Sequence, residues 1–235
     1  MADAIPSLRA ATVGRVLPFG VALIFLAVAP LTETNLWPLA ATPDANWLYL
    51  FKVIAMAAAL WLLRRYYTEL APPFRFAMTR AQWAAALAIG ALVFVLWINL
   101  DAPWMQLGHS EPGLVPVDPY SEELEWHWIA VRVVGAVVMV PLAEELFWRS
   151  FLLRWIDNPR FVDVSPAAIS ARAVVIGAVL FGLSHSLWLA GAIAGLGYSV
   201  LYIRTQSLWA PIVAHGLTNA LLAAWVVYTR QWQYW

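Results

Sequence analysis

The stretch AEELFWRSF, residues 143–151, decides how this sequence is interpreted. It places two adjacent glutamates and an arginine after the run WIAVRVVGAVVMVPL, residues 128–142, which is apolar enough to lie in hydrocarbon. A charged side chain at the centre of a membrane helix costs about 2.5–3.5 kcal/mol on insertion scales. Ionisable groups in such a place therefore indicate either an ion pair that joins helices or a functional site.

The composition of the whole chain indicates that this run belongs to a membrane protein. Hydrophobic residues make up 63% of the 235 residues, charged residues make up 12%, and the mean hydropathy is +0.70. A soluble domain has about 25% charged residues, so this chain cannot cover itself with a charged surface. It has no cysteine, which excludes disulfides and thiolate chemistry. We expect the lipid bilayer as its surroundings and no nucleic-acid partner.

Hydrophobic runs of sufficient length predict an all-α fold, a polytopic transmembrane helical bundle. A spanning helix needs about 20 mostly apolar residues. We expect seven or eight spans and place seven of them near residues 16–32, 46–63, 81–100, 127–155, 170–186, 188–204 and 207–228. We interpret residues 1–235 as a single membrane domain. Residues 1–126 hold spans without a recognisable motif, and residues 127–228 hold the polar motifs.

The distribution of lysine and arginine among the loops predicts the orientation of the bundle. Arginines precede the first span, lie between the second and third, follow the fourth and end the sixth, whereas the loops 33–45 and 101–126 hold acids but no Lys or Arg. Positively charged loops stay in the cytoplasm. We therefore expect a cytoplasmic N-terminus and a plasma membrane of the bacterial inner-membrane type.

The spacing of the charged residues separates the two glutamates. Glu145 and Arg149 are four residues apart on one helix face, so they can form an ion pair. Glu144 is rotated by about 100° from Glu145 and can face another helix. A structural ion pair would explain one acid and the arginine, but it leaves Glu144 without a partner.

Polar residues in two later spans are candidates for the groups that Glu144 faces. His185 follows Phe181 by four residues in FGLSH, and Asn219 follows His215 by four residues in HGLTN. At about 1.5 Å per residue, the two histidines and the amide lie roughly 12–20 Å deep, as Glu144 does. A lone membrane histidine is more often a packing residue. Two histidines, an amide and a free glutamate in one layer predict a shared polar site.

Three motifs in this order resemble the CAAX protease and bacteriocin-processing family of intramembrane proteases. EELFWR fits Glu-Glu-x-x-x-Arg, FGLSH fits Phe-x-x-x-His and HGLTN fits His-x-x-x-Asn. The resemblance covers residues 127–228, and the family includes the endopeptidase that trims prenylated CAAX proteins. It implies a glutamic-type peptidase without a metal or other cofactor. It also implies a substrate that is a membrane-anchored or C-terminally processed protein.

The chemistry of peptide hydrolysis assigns roles to these residues. It requires a water made nucleophilic and a site that stabilises the oxyanion. A glutamate in an apolar pocket can act as a base near neutral pH, so Glu144 and His185 could hold the water. His215 and Asn219 could donate to the oxyanion, and the ion pair described above would hold the helix face in register. We expect a polar cavity that opens to the cytoplasm.

Two other functions stay open at the level of the sequence. Two histidines and a carboxylate form a zinc ligand set with an open position for water, with Glu144 as a ligand and Glu145 as the base. The spacing differs from the His-Glu-x-x-His helix of zinc proteases. A proton-coupled transporter also uses intramembrane acids and histidines, but we find no pair of interrupted helices that would indicate inverted repeats.

Overall fold

The computed structural model describes residues 7–33, 45–70, 78–108, 115–118 and 121–234. These residues form a helical bundle in which the only extended pairing is a single bridge between Val117 and Leu124. The long helices are α1 (Leu8–Glu33), α2 (Ala45–Leu63), α3 (Arg80–Trp97), α4 (126–157), α5 (Ala171–Leu183), α6 (Trp188–Thr205) and α7 (Trp209–Thr229). The predicted all-α class is confirmed.

Four segments of these helices are long and apolar enough to cross a membrane: Leu8–Phe25, Asn46–Tyr66, Arg80–Trp97 and Trp209–Thr229. Helix α5 is also apolar but has only 13 residues, which is about 20 Å at 1.5 Å per residue. Helix α4 is longer, but it is not a regular α-helix. The count of seven or eight spans stays a prediction.

Helix α4 carries the AEELFWRSF stretch and alternates between α-helical and π-helical turns. Its successive segments are α Trp126–Val134, π Gly135–Met139, α Val140–Glu145, π Leu146–Leu152 and α Leu153–Asp157. Pro141 has no N–H and cannot donate to the carbonyl of residue 137, which favours a change of bonding in the preceding turn. π-Helical turns are rare and are frequent at functional sites. Here they flank the two glutamates on both sides.

Helix α7 is the central helix of the bundle. Half of the residues of Trp209–Thr229 are buried, against 17–28% in the other three apolar segments. Glycines allow the neighbouring helices to approach it closely. A Cβ on Gly90 of α3 would lie 2.5 Å from the carbonyl oxygen of Ala214, and one on Gly216 would lie 2.9 Å from that of Val137 in α4. These contacts place α7 directly against the π-helical part of α4.

The bundle has two ends, which we name by their charges. The arginine end is where α1, α3, α5 and α7 begin and where α2, α4 and α6 end. Gln82 Nε2 donates to the Thr205 carbonyl there at 3.0 Å. The acidic end is the opposite one, where the Leu107 N–H donates to the Ser186 carbonyl at 2.7 Å and the Tyr234 hydroxyl donates to Asp101. These contacts show that successive helices run antiparallel.

A buried ion cluster holds the arginine end together. The Glu69 carboxylate forms ion pairs with Arg15, at 2.5 Å, and with Arg154. The Ser150 hydroxyl donates to the same carboxylate at 2.6 Å. Arg15, Ser150 and Arg154 are all buried. Because Arg15 lies on α1, Glu69 follows α2 and Arg154 lies on α4, this cluster joins the first part of the chain to the helix that carries both glutamates.

The charges of this cluster set the protonation of Glu69. Burial alone would raise the pKa of the Glu69 carboxyl, but the guanidinium groups of Arg15 and Arg154 outweigh it and lower that pKa. A carboxyl whose pKa is lower in the folded state stabilises the fold above the pKa that it has when unfolded, about 4.3 for glutamate. This contribution is lost as the pH falls through the folded-state pKa.

We predict that Glu69→Gln destabilises the protein strongly at pH 7, because it leaves two guanidinium groups buried without their carboxylate. Removing one partner of a buried ion pair costs about 3–5 kcal/mol. Thermal unfolding in detergent measures the effect. The difference from the wild type should begin to shrink below about pH 4.3, where the unfolded chain binds a proton at Glu69, and should be lost below the lowered pKa of the folded carboxyl.

The matched control is Asp163→Asn, since Asp163 pairs with Arg160 at 2.9 Å while both side chains are at least half exposed. Exposed pairs contribute about 0–1 kcal/mol, so the control should unfold close to the wild type. If Glu69→Gln and Asp163→Asn have equal effects at pH 7, the ion cluster does not stabilise the bundle.

Candidate active site

A cavity of about 180 Å³ lies between α4, α6 and α7, with its further walls from the ends of α3 and α5. Its lining includes Glu144, His185, His215 and Asn219, the four polar residues that the sequence placed in one layer. The rest of the lining is mainly apolar or aromatic: Trp97, Ala136, Val140, Phe181, Ala194, Tyr198, Thr218, Leu222, Ala223, Val226 and Tyr234. The structure therefore brings the four predicted polar groups to one place.

Glu145 lies behind the wall of this cavity and is completely buried. Its Oε1 accepts a hydrogen bond from Arg149 Nη1 at 3.0 Å, as the four-residue spacing predicts. The same oxygen lies 2.9 Å from His215 Nδ1. A carboxylate only accepts hydrogen bonds, so His215 Nδ1 carries a proton and donates it. This second bond was not predicted from the sequence. It joins α4 to α7 and leaves Nε2 as the unbonded ring nitrogen.

Arg149 connects three helices. Its guanidinium lies over the rings of Phe181 and Tyr198, with 4.5 and 5.3 Å to the ring centroids, and its Nη2 donates to the Gly195 carbonyl at 3.2 Å. Tyr198 in turn stacks on the His215 ring, with 5.2 Å between centroids and 21° between planes. Glu145 and Arg149 thus fix α5, α6 and α7 around the cavity without lining it.

Glu144 has a different environment from its neighbour. It lines the cavity, and its Oε2 is buried without a hydrogen-bond partner among the described residues. A buried acceptor without a partner carries a desolvation penalty of about 1–3 kcal/mol, and more if the group is charged. Such an oxygen, directed to a cavity, is available to bind a water or a substrate.

His185 lies beyond the end of its helix. We expected the span 170–186 to include it, but α5 ends at Leu183, so that boundary is wrong. The Ser184 hydroxyl donates to the Phe181 carbonyl at 2.8 Å, and His185 Nδ1 lies 2.7 Å from the same oxygen. Side chains that bind backbone carbonyls in this way compete with the helical pattern. His185 Nδ1 is therefore a donor to the backbone, which leaves Nε2 for the cavity.

Aromatic rings hold the His185 side chain in place. Its ring centroid lies 4.6 Å from that of Phe181 and 5.4 Å from that of Trp97. Phe181, the first residue of the Phe-x-x-x-His motif, therefore provides both the carbonyl and the ring that orient the histidine.

Asn219 binds the irregular part of α4. Its Nδ2 donates to the Ala136 carbonyl at 2.7 Å, within the π-helical turn Gly135–Met139. An amide group has two N–H donors, so one remains for a ligand in the cavity.

Two further residues support the site, although they were not among the site residues predicted from the sequence. The Tyr198 hydroxyl and Thr218 Oγ1 lie 2.7 Å apart, and Thr218 Oγ1 also donates to the Gly90 carbonyl of α3 at 2.9 Å. Tyr198 lies in a segment of α6 that is rich in small residues, and such a pattern is typical of ordinary helix packing. Thr218 follows His215 by three residues, which places its hydroxyl on the same helix face. This spacing could have indicated Thr218 as a site residue.

The same geometry bears on a metal site. Among the residues that the structure describes, no group of three His, Asp or Glu side chains could hold one metal ion. The zinc alternative therefore lacks a ligand set in the described part of the chain.

The cavity extends to the acidic end of the bundle. Trp97 is the last residue of α3, His185 follows the end of α5, and Tyr234 follows the end of α7. We expected the cavity to open at the arginine end, but its walls extend from the middle of the bundle to the acidic end.

Residues 125–221 match the family described as Rce1-like, type II CAAX prenyl endopeptidase Rce1-like. The matched domain covers less than half of the chain. The domain includes Glu144, His185, His215 and Asn219, and the resemblance predicted from the three motifs is confirmed. No significant match to a curated protein or to a solved structure was found. The Rce1-like domain and the long apolar helices together identify an integral membrane protein.

We predict that Glu145→Gln destabilises the fold, because Arg149 and His215 lose the charged group that both of them bind. The expected cost is about 3–5 kcal/mol, measured by thermal unfolding in detergent. Glu144→Gln is the matched control, one residue away with the same chemical change. It removes no ion pair and should leave the unfolding temperature at or above that of the wild type. Equal destabilisation by the two variants would contradict the separate environments of the glutamates.

Proposed function

We propose that this protein is an intramembrane endopeptidase in which Glu144 and His185 activate a water while His215 and Asn219 stabilise the oxyanion. The observation that carries the proposal is the contrast between the adjacent glutamates. Oε1 of Glu145 accepts hydrogen bonds from Arg149 and His215, and Glu145 does not line the cavity. Glu144 lines the cavity, and its buried Oε2 has no partner among the described residues; Oε2 of Glu145 also has none, but it is buried away from the cavity. We assign the catalytic core to residues 127–228 and a supporting role to the spans in 1–126.

In the first step, the water oxygen attacks the carbonyl carbon of the substrate and Glu144 accepts a proton from that water. His185 Nε2 accepts the second hydrogen of the water in a hydrogen bond, because Nδ1 is held by the Phe181 carbonyl. The carbonyl oxygen becomes an oxyanion. Glu144 then gives the proton to the amide nitrogen, the carbon–nitrogen bond breaks, and a carboxylic acid and an amine leave. A positioned acid or base of this kind contributes about 100- to 10,000-fold to the rate.

The oxyanion would be stabilised from α7. Asn219 retains one amide N–H beyond its bond to Ala136. His215 donates from Nε2 in its imidazolium form, in which Nδ1 also donates to the Glu145 carboxylate. Removing one oxyanion donor from a hydrolase typically costs about 100- to 1000-fold in kcat. This role gives the buried Glu145 a chemical purpose as well as a structural one.

The family match supports the reaction class. The Rce1-like family is described as type II CAAX prenyl endopeptidases, so a protein segment held at the membrane fits as the substrate of this chain. The mechanism uses only side chains of the chain and requires no metal or organic cofactor.

We predict that Glu144→Gln abolishes peptide cleavage while the protein still folds, since glutamine cannot accept the proton of the water. A fluorogenic peptide assay on purified protein in detergent should show a loss of at least about 100-fold in kcat. Glu123→Gln changes an exposed acid in the loop 101–126 at the acidic end. It serves as the control and should keep wild-type activity.

The same assay separates the alternatives. Wild-type activity should persist in a strong chelator, and elemental analysis should find no stoichiometric zinc. Full activity of Glu144→Gln would refute the assignment of the base, and activity that is lost with a chelator and restored by zinc would favour a metalloprotease. A proton-coupled transporter would cleave no peptide in any variant.

A further inference from the structure

The two ends of the bundle carry opposite charges. The described arginines of the arginine end are Arg9, Arg15, Arg64, Arg65, Arg80, Arg154, Arg160, Arg172 and Arg204, and its described acids are Glu69, Asp157 and Asp163. The described charged residues of the acidic end are Glu33, Asp101, Asp118, Glu122, Glu123, Glu125 and Arg230. Lys52 and Arg132 lie about two helical turns further into the bundle from that end. Arg75 and the loop residues 34–44 lie outside the described residues. The positive-inside rule places the arginine end in the cytoplasm.

The cavity extends from the middle of the bundle to the acidic end. Along α7 its wall runs from His215 to Val226, which is about 5 Å from the end of that helix at Thr229. On α4 it runs from Ala136 to Glu144, across the middle of that helix, which spans residues 126–157. Glu144 and His215 therefore lie at the inner end of the cavity, and Trp97, Leu222 and Val226 form its apolar and aromatic wall toward the acidic end.

The half near the arginine end is filled instead. A core cluster there includes Leu153, Tyr202, Leu208 and Trp209, all of them buried. The Glu69 ion cluster lies in the same half of the bundle. No cavity wall reaches the arginine end, so the described residues offer a solute no way to Glu144 from that side.

We infer that the substrate reaches this site from the acidic end, and hence from the extracytoplasmic side of the membrane. The inference rests on the proposed endopeptidase function and names its substrate class. The substrate is a protein segment whose scissile bond lies at the extracytoplasmic end of a membrane anchor, and it is not a lipid-modified tail in the cytoplasm. The apolar wall formed by Trp97, Leu222 and Val226 suits the apolar residues of such an anchor.

Tyr234 and its contacts lie where the cavity meets the acidic end. Tyr234 lines the cavity, its hydroxyl donates to Asp101, and its ring lies 5.3 Å from that of Trp225. All three residues belong to the acidic end, which is consistent with entry from that side.

The absence of cysteine from the chain allows a direct test. Single cysteines are introduced at Leu222 and, separately, at Ala136 in the cavity wall. Glu123→Cys marks the acidic end and Ser165→Cys marks the arginine end, since both residues are exposed. Ala210→Cys is the buried control, because Ala210 is completely buried and does not line the cavity. A membrane-impermeant maleimide is applied to sealed right-side-out vesicles, before and after permeabilisation.

We expect labelling of Glu123→Cys, Leu222→Cys and Ala136→Cys in sealed vesicles. Ser165→Cys should react only after permeabilisation, and Ala210→Cys should not react in either state. Cavity cysteines that react only after permeabilisation, as Ser165→Cys is expected to do, would overturn the direction of entry. Markers that react in the opposite order would overturn the orientation, and cavity cysteines that never react would refute an open cavity.

These results are independent of peptide cleavage. The expected labelling of a protein that cleaves no peptide would refute the proposed function and support the direction of access. The opposite labelling of an active protease would refute the direction of access and leave the proposed function standing.

Discussion

The Glu145 carboxylate, shared between Arg149 and His215, is the interaction on which the rest of the site depends. One oxygen accepts from Arg149 at 3.0 Å and from His215 at 2.9 Å, and the side chain has no exposed surface. A charge buried in this way is stable only if its partners are held in good geometry. Arg149 then positions α5 and α6 through Phe181 and the Gly195 carbonyl. The orientation of the His215 ring, and with it the shape of the cavity, follows from this one carboxylate.

The irregular backbone of α4 makes the shared carboxylate possible. The two π-helical turns on either side of Val140–Glu145 set the direction in which both glutamates point. They also present carbonyl groups to α7, since Asn219 binds the Ala136 carbonyl and Gly216 allows close contact with that of Val137. A regular helix would keep these carbonyls in its own hydrogen bonds. The backbone irregularity and the polar site are thus parts of one arrangement.

Spacing predicted those parts of the site that lie within regular helical turns. The pairing of Glu145 with Arg149 and the common face of His215 and Asn219 follow from the four-residue period. The end of α5 before His185 could not be predicted, because it depends on Ser184 and His185 binding the Phe181 carbonyl. The bond between Glu145 and His215 depends on how α4 and α7 approach each other, which no local pattern encodes.

The direction in which the cavity opens is a property of packing. Helix rise places the polar layer near the middle of the membrane, roughly as far from one side as from the other. Which half is filled is decided by side chains distant in sequence, such as Leu153, Tyr202 and Leu208. The sequence therefore located the polar layer, but it could not show toward which end of the bundle the cavity extends.

The most direct test of the account is a structure of the Glu144→Gln variant with an uncleaved peptide bound. The account predicts the scissile carbonyl oxygen within hydrogen-bond distance of Asn219 Nδ2 and His215 Nε2, and a water between residue 144 and His185. Glu145 should remain bound to Arg149 and His215. A peptide whose scissile bond lies against Glu145, with that carboxylate released from His215, would contradict the account.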